Sequence, residues 1–276
     1  MGKFVVVTDY ESAVLSLTAS CLSVVTCLMV VVSIQLDGRN NRKSYHLRLV
    51  QRLLMTDIGL SSCVIFYYVM QLVLSMSELK ILCKLYLPLV DYFFLVSYGW
   101  TVMLAFRFRD SFIEKKITGI PKTLWKVWTI PAFFALIVLI TAFASDEAVT
   151  VESTDAHTNR SCTFNHNTVT GIVLDMTTFQ GPLLITIIMN CITYVKGLRA
   201  LSNTPQSVMA RQMRKAGGYL GVLLLIWVPN IIYNFLSMFV GNDSQYNGFL
   251  DLVIFLSALQ VRISLYSYIV TLIDIA

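Results

Sequence analysis

The stretch from Trp125 to Ala144 reads WKVWTIPAFFALIVLITAFA, with no charged residue between Lys126 and Asp146. A bilayer's hydrocarbon core takes roughly 20 apolar residues as a helix. A helix satisfies its own backbone hydrogen bonds, which lipid cannot do for it. Working outward, six more apolar stretches stand out. With the first they lie near 13–35, 47–75, 82–106, 125–144, 169–195, 217–240 and 248–273. The expectation is an all-α membrane protein, one seven-helix bundle over residues 1–276.

Composition supports this reading. The chain of 276 residues is 56% hydrophobic and 13% charged, against about 25% charged in a soluble domain. Mean hydropathy is +0.69. No internal repeat and no low-complexity segment is visible. The opening residues lack a cleavable-signal pattern, so the first span is expected to act as an uncleaved anchor.

Lys and Arg are distributed unevenly. Sixteen fall in the loops and helix ends after spans one, three and five; these include Arg107, Arg109, Arg211, Arg214 and Lys215. Only Lys3, Lys80, Lys84 and Arg160 fall on the other side, and Arg262 lies within span seven. Basic loops stay in the cytosol, which predicts an outer N-terminus and a cytosolic C-terminus. The glycosylation triplets at Asn159 and Asn242 fall in predicted outer loops. The net charge of +5 is split among separate loops rather than gathered in one patch, so no nucleic-acid partner is expected.

Cys21, Cys27, Cys63 and Cys191 lie inside apolar spans and read as small packing residues. Cys83 starts span three and Cys162 lies in the outer loop between spans four and five. Both would face an oxidising compartment. A bond between them would pin the longest outer loop to the bundle; two free thiols are the alternative. His46, His157 and His166 are scattered and no C-x-x-C occurs, so neither metal nor cofactor is expected.

Carboxylates at membrane depth are costly and tend to be functional. Asp57, Asp91, Asp175 and Asp251 lie in or near the spans. Asp57 suits a polar network that rearranges on activation; the alternatives are a satisfied pair with a neighbour such as Arg52, or a protonated acid. Asp91 lies at pocket depth, two to three turns from Cys83. Arg262 could pair with Asp57 or Asp91, or snorkel to an interface. Tyr92, Phe93, Phe94, Tyr98 and Trp100 form an aromatic cluster, in which packing competes with ligand contact.

Several segments resemble one group of receptors. Span three reads Asp91-Tyr-Phe-Phe-Leu-Val-Ser-Tyr-Gly-Trp100-Thr101, similar to the F-x-x-x-S-[FY]-x-W-T pattern of the cyclic-AMP-receptor-like family of G-protein-coupled receptors. That family is related to secretin and adhesion receptors. Span two carries Arg52-Leu-Leu-Met-Thr-Asp57-Ile-Gly-Leu-Ser61, span six Trp227-Val228-Pro229-Asn230, and span seven Leu259-Gln260 followed by Tyr268. Val261 and Ser264 stand where the family has glycine and asparagine. No Asp-Arg-Tyr ends span three, no Asn-Pro-x-x-Tyr occurs in span seven, and span seven has no lysine for a retinal Schiff base. The tail before span one is too short for a cysteine-rich hormone-binding domain.

The resemblance implies a plasma-membrane receptor that makes and breaks no covalent bond. Its partners would be an extracellular ligand, a heterotrimeric G protein and membrane lipids. The candidate ligand residues are Asp91, Phe94, Asp175, Trp227 and Asn230. Asp57, Trp227, Pro229 and Arg262 are the candidate switch, with Pro229 kinking span six as a hinge. Arg107, Arg109, Arg211, Arg214 and Lys215 would form a basic rim for Gα. The alternative is a seven-span transporter or channel, which would show matched repeats and broken helices. An intramembrane enzyme would need paired catalytic groups in a recognisable motif. The acidic outer face fits a cationic or neutral ligand better than an anionic nucleotide.

Overall fold

The structure is a computed structural model that describes residues 9–37, 45–113, 125–155, 159–201, 228 and 231–232. Four helices come first: α1 (Asp9–Asp37), α2 (Tyr45–Val73), α3 (Met76–Ile113) and α4 (Lys126–Ala144). A two-stranded hairpin follows, β1 (Val149–Asp155) and β2 (Asn159–Phe164). The chain then enters α5 (Val169–Asp175), a π-helical turn (Met176–Gln180) and α6 (Gly181–Leu201), which run on directly from one another as the fifth predicted span.

Helix starts follow local chemistry. Ser75 precedes α3, and its backbone N–H and hydroxyl both donate to Glu78 Oε2, at 3.0 and 2.7 Å. This is the side-chain half of a capping box. These bonds hold the Glu78 carboxyl below its usual range. Thr168 caps α5 by accepting from the Gly171 N–H at 3.2 Å. Gly171 is required there: a Cβ would stand 2.1 Å from the backbone carbonyl oxygen of Asn165.

The π-turn has an identifiable cause. Proline within a helix has no N–H to give and clashes with the carbonyl four residues back. Pro182 sits just after the turn, and Gly181 N–H bonds Met176 O, five residues back. The extra residue re-aims the chain before α6. A Cβ on Gly181 would come within 2.7 Å of that same oxygen.

Helix α3 is the centre of the bundle, packed against α2, α4, α6 and both strands. At 38 residues it is about 57 Å long, well beyond the roughly 30 Å hydrocarbon core. A first cluster, including Tyr67, Leu79, Leu87, Val138, Ala148 and Phe164, lies under the hairpin. Towards the other end Leu49, Val96 and Trp100 pack with Trp128, the two indoles edge to face at 5.9 Å. Helices α1 and α2 meet through Cys27, Val31, Val50 and Leu54 and a buried hydrogen bond of 3.0 Å from Ser61 Oγ to Ser23 Oγ.

The outward surface is apolar. On α4, Ile130, Phe133, Leu136, Ile140 and Phe143 are exposed while Pro131, Val138 and Ala142 are buried. A continuous apolar face of this kind would be untenable in water. Among the described residues, Leu49–Gln71, Lys126–Ala144 and Val169–Gly197 are long and apolar enough to cross a membrane, and Leu17–Ser33 is a shorter apolar run. The first half of α3 carries Glu78, Lys80, Lys84 and Asp91.

The first five predicted spans match helices, the ends agreeing to within a few residues except that α3 starts six residues before and ends seven after the expected 82–106, and α6 ends six after the expected 195. The loop expected between spans four and five contains an antiparallel hairpin, with Val149 opposite Phe164, Val151 opposite Cys162 and a bulge between Ser153 and Asp155. Of the stretches near 217–240 and 248–273, only Val228, Ile231 and Ile232 are described, all helical.

Candidate functional site

The hairpin is fastened over one end of the bundle. Cys83 near the start of α3 and Cys162 in β2 form a disulfide, Cα to Cα 5.4 Å, across 79 residues of sequence. The backbone N–H of Cys162 also donates to the Tyr67 hydroxyl of α2 at 3.1 Å. Tyr67 in turn stacks on Tyr86 of α3, with centroids 4.4 Å apart. Lys84, 7% exposed, donates to Asp146 just before the hairpin and lies 5.5 Å from the centre of the Phe143 ring. The Lys84 hydrogen bond and charge, with Lys80 further off, hold the exposed Asp146 carboxyl below its usual range.

Beneath this strap the buried polar groups of spans three and five meet. Asp91 of α3 is buried, and Thr178 of the π-turn donates from Oγ1 to its Oδ2 at 2.9 Å. The same hydroxyl also bonds Leu174 O at 2.9 Å. Asp175, also buried, lies within electrostatic range of Asp91. Its Oδ2 is 3.4 Å from His166 Nε2, from the segment between β2 and α5. One to two turns along α3 from Asp91, on the same face, Phe94 packs edge to face on Phe179 at 5.1 Å and Tyr98 lies 6.4 Å from Phe179. Leu183 and Ile187 of α6 complete that cluster.

The structure thus brings three of the five candidate ligand residues, Asp91, Phe94 and Asp175, to one place. Trp227 and Asn230 lie outside the described residues, as do Pro229, Arg211, Arg214, Lys215, Asn242, Asp251 and Arg262. Asp57 is separate from this site: it is half-buried on α2, one turn from Ser61 and within electrostatic range of Cys27 of α1. Arg109 lies over Phe106, 5.2 Å from the ring centre, near the far end of α3. The backbone of Arg107 is helical beside it, and Asn159 opens β2. Among the described residues no cluster of His, Cys, Asp and Glu could hold a metal ion.

Sequence reading missed Thr178, His166 and the hairpin fastening by Tyr67 and Lys84. Thr178 reaches Asp91 because of the π-turn, for which Gly181-Pro182 is the only signal in the sequence. His166 is two residues past the end of the strand that carries Cys162, and strand pairing was invisible in a loop.

The family model described as 7 transmembrane receptor (Secretin family) matches residues 9–260 of this chain. The chain belongs to that family of seven-transmembrane receptors, and with its apolar helices it is a membrane protein. No curated protein sequence matches it.

Proposed function

We propose that the chain is a plasma-membrane G-protein-coupled receptor with seven spans, an outer N-terminus and a cytosolic C-terminus. The hairpin end is the outer end: a disulfide persists in an oxidising compartment, and the basic loops lie towards the other end. The narrower likeness to cyclic-AMP-receptor-like receptors rests on the motifs of spans two, three, six and seven.

An extracellular ligand enters beneath the hairpin and contacts spans three and five around Asp91, Phe94 and Asp175, with Trp227 and Asn230 of span six completing the pocket. Ligand acts only through its differential affinity for two conformers. The favoured conformer bends span six at Pro229, supported by Asp57 and Arg262, and opens a cytosolic cavity rimmed by Arg107, Arg109, Arg211, Arg214 and Lys215. A heterotrimeric G protein docks there and exchanges nucleotide, and the receptor makes or breaks no covalent bond.

The observation that carries this reading is the family match over nearly the whole chain. The buried polar junction of spans three and five under a covalently fastened strap supports the ligand site. The test is nucleotide-sensitive capture of a panel of heterotrimeric G proteins by the chain in lipid nanodiscs. Capture released by GTP analogues, and lost when Arg211, Arg214 and Lys215 become Glu, is expected. No capture across the panel, together with solute or ion flux in liposomes, would sink the receptor reading in favour of a transporter or channel.

A further inference from the structure

Span five changes its helical register at Met176–Gln180, between α5 and α6. A π-turn holds one residue more than an α-turn, and such turns are rare and frequent at functional sites. Two hydroxyls hold this one. Thr177 Oγ1 donates to Val173 O at 2.7 Å and to Leu174 O at 3.2 Å. Thr178 Oγ1 donates to Leu174 O and to Asp91 Oδ2, both at 2.9 Å. Of these bonds only the last leaves span five. The same turn carries a cost. Gln180 is 4% exposed, and its Oε1 is enclosed yet accepts no hydrogen bond among the described residues. A buried acceptor left open is unfavourable. The gain at Thr178 and the loss at Gln180 fall within one turn, and a change of register would move both side chains to new surroundings.

Backbone chemistry leaves a second register open. Gly181 N–H bonds Met176 O, five residues back. In a plain α-helix the same N–H would bond Thr177 O, four residues back. Pro182 has no N–H to give in either register, so the exchange moves the Gly181 bond and loses none at Pro182. The residue that makes the exchange is glycine. A Cβ there would stand 2.7 Å from Met176 O, so a larger side chain would exclude the π-turn while glycine admits both registers.

We infer that span five is a two-register element. The π-turn, latched by Thr178 on Asp91, exchanges with an unbroken α-helix in which Gly181 bonds Thr177 O and the latch is open. Removing the extra residue from the turn rotates α5 against α6 by about 100° and lengthens the span by about 1.5 Å. Helix α6 runs on for 21 residues, so the rotation at the turn is carried along it towards Lys196 and Arg199 at its far end. One buried hydrogen bond to span three thus sets the two halves of span five against each other. Neither register requires a G protein, so the exchange stands or falls apart from the coupling reading.

The test is the distance between two spin labels on the full chain in lipid nanodiscs. Val173 of α5 and Ile185 of α6 are both exposed and stand twelve residues apart. In the π register they lie on one side of the span, about 20° apart around its axis, and in an unbroken α-helix they lie about 120° apart. Labels are attached at Val173→Cys and Ile185→Cys, with Cys21→Ala and Cys191→Ala removing the native free thiols that are not buried. The expected distribution has a shorter and a longer population, separated by about 4–8 Å. Gly181→Ala should leave the longer distance alone, and Thr178→Val should move weight towards it. A single distance in the labelled chain that Thr178→Val leaves unmoved overturns the inference, as does a Gly181→Ala chain that keeps the shorter distance. If Gly181→Ala fails to fold, the comparison of Thr178→Val with the labelled parent decides.

Discussion

Thr178 Oγ1 donates to Asp91 Oδ2 at 2.9 Å, a bond buried inside the bundle that joins two spans 87 residues apart in sequence. Thr178→Val keeps the side-chain volume and removes the donor, leaving a buried carboxylate with one fewer partner. The expected loss is about 1.5–3 kcal/mol, read as a lower unfolding temperature in nanodiscs. An unchanged unfolding temperature would mean that the bond does not tie the two spans.

The Cys83–Cys162 disulfide closes 79 residues of sequence. In the chain-entropy model such a closure is worth about 4 kcal/mol. Cys83→Ser, Cys162→Ser and the double variant should therefore destabilise to the same degree, because each removes the same bond. Non-additive thermal shifts across the three would bear this out. A double variant markedly worse than either single one would show that the cysteines act separately.

Gly171→Ala is expected to be among the most damaging single changes at the hairpin end. The new Cβ would stand 2.1 Å from Asn165 O, a backbone atom that cannot rotate away. Forced overpacking of this kind costs about 1–3 kcal/mol or more. Hydrogen exchange should show the loss concentrated at the hairpin and the start of α5, and uniform exchange would argue against a local clash.

Acid should loosen the junction of α4 with the hairpin. The Asp146 carboxyl titrates below the ordinary value of 3.8 because Lys84 donates to it. A folded-state pKa depressed in this way gives stability that is present above the ordinary value and is lost as pH falls through the folded one. Hydrogen exchange around Asp146–Val149 should therefore quicken below the usual aspartate range, and Asp146→Asn should remove that pH dependence. The pair is solvent-facing on the Asp146 side, so added salt should weaken the effect. An identical acid response in the Asn variant would place its origin elsewhere.

Much of the helical architecture was legible in the sequence, because an apolar run of sufficient length has few ways to satisfy its backbone in lipid. The stretch 125–144 became α4 almost residue for residue. Ends were less legible where a polar residue is satisfied inside the protein. Helix α3 starts before its expected limit because Ser75 and Glu78 cap it early, and Lys84, within it, is satisfied by donating to Asp146. The hairpin was not legible at all, since strand pairing depends on partners brought opposite each other by the strap.

By itself, the sequence determined that this is a membrane bundle, which side of each helix pair carries the basic loops, and which carboxylates stand in apolar surroundings. These follow from transfer free energies and charge placement, properties of local stretches. Only the tertiary structure decided that Asp91 and Asp175 belong to one site and Asp57 to another. That outcome depends on the π-turn before Pro182, which adds one residue to a helical turn and so brings Thr178 to bear on Asp91. Helical periodicity is too coarse to register a single inserted residue, and a contact between distant spans depends on the rotation of both.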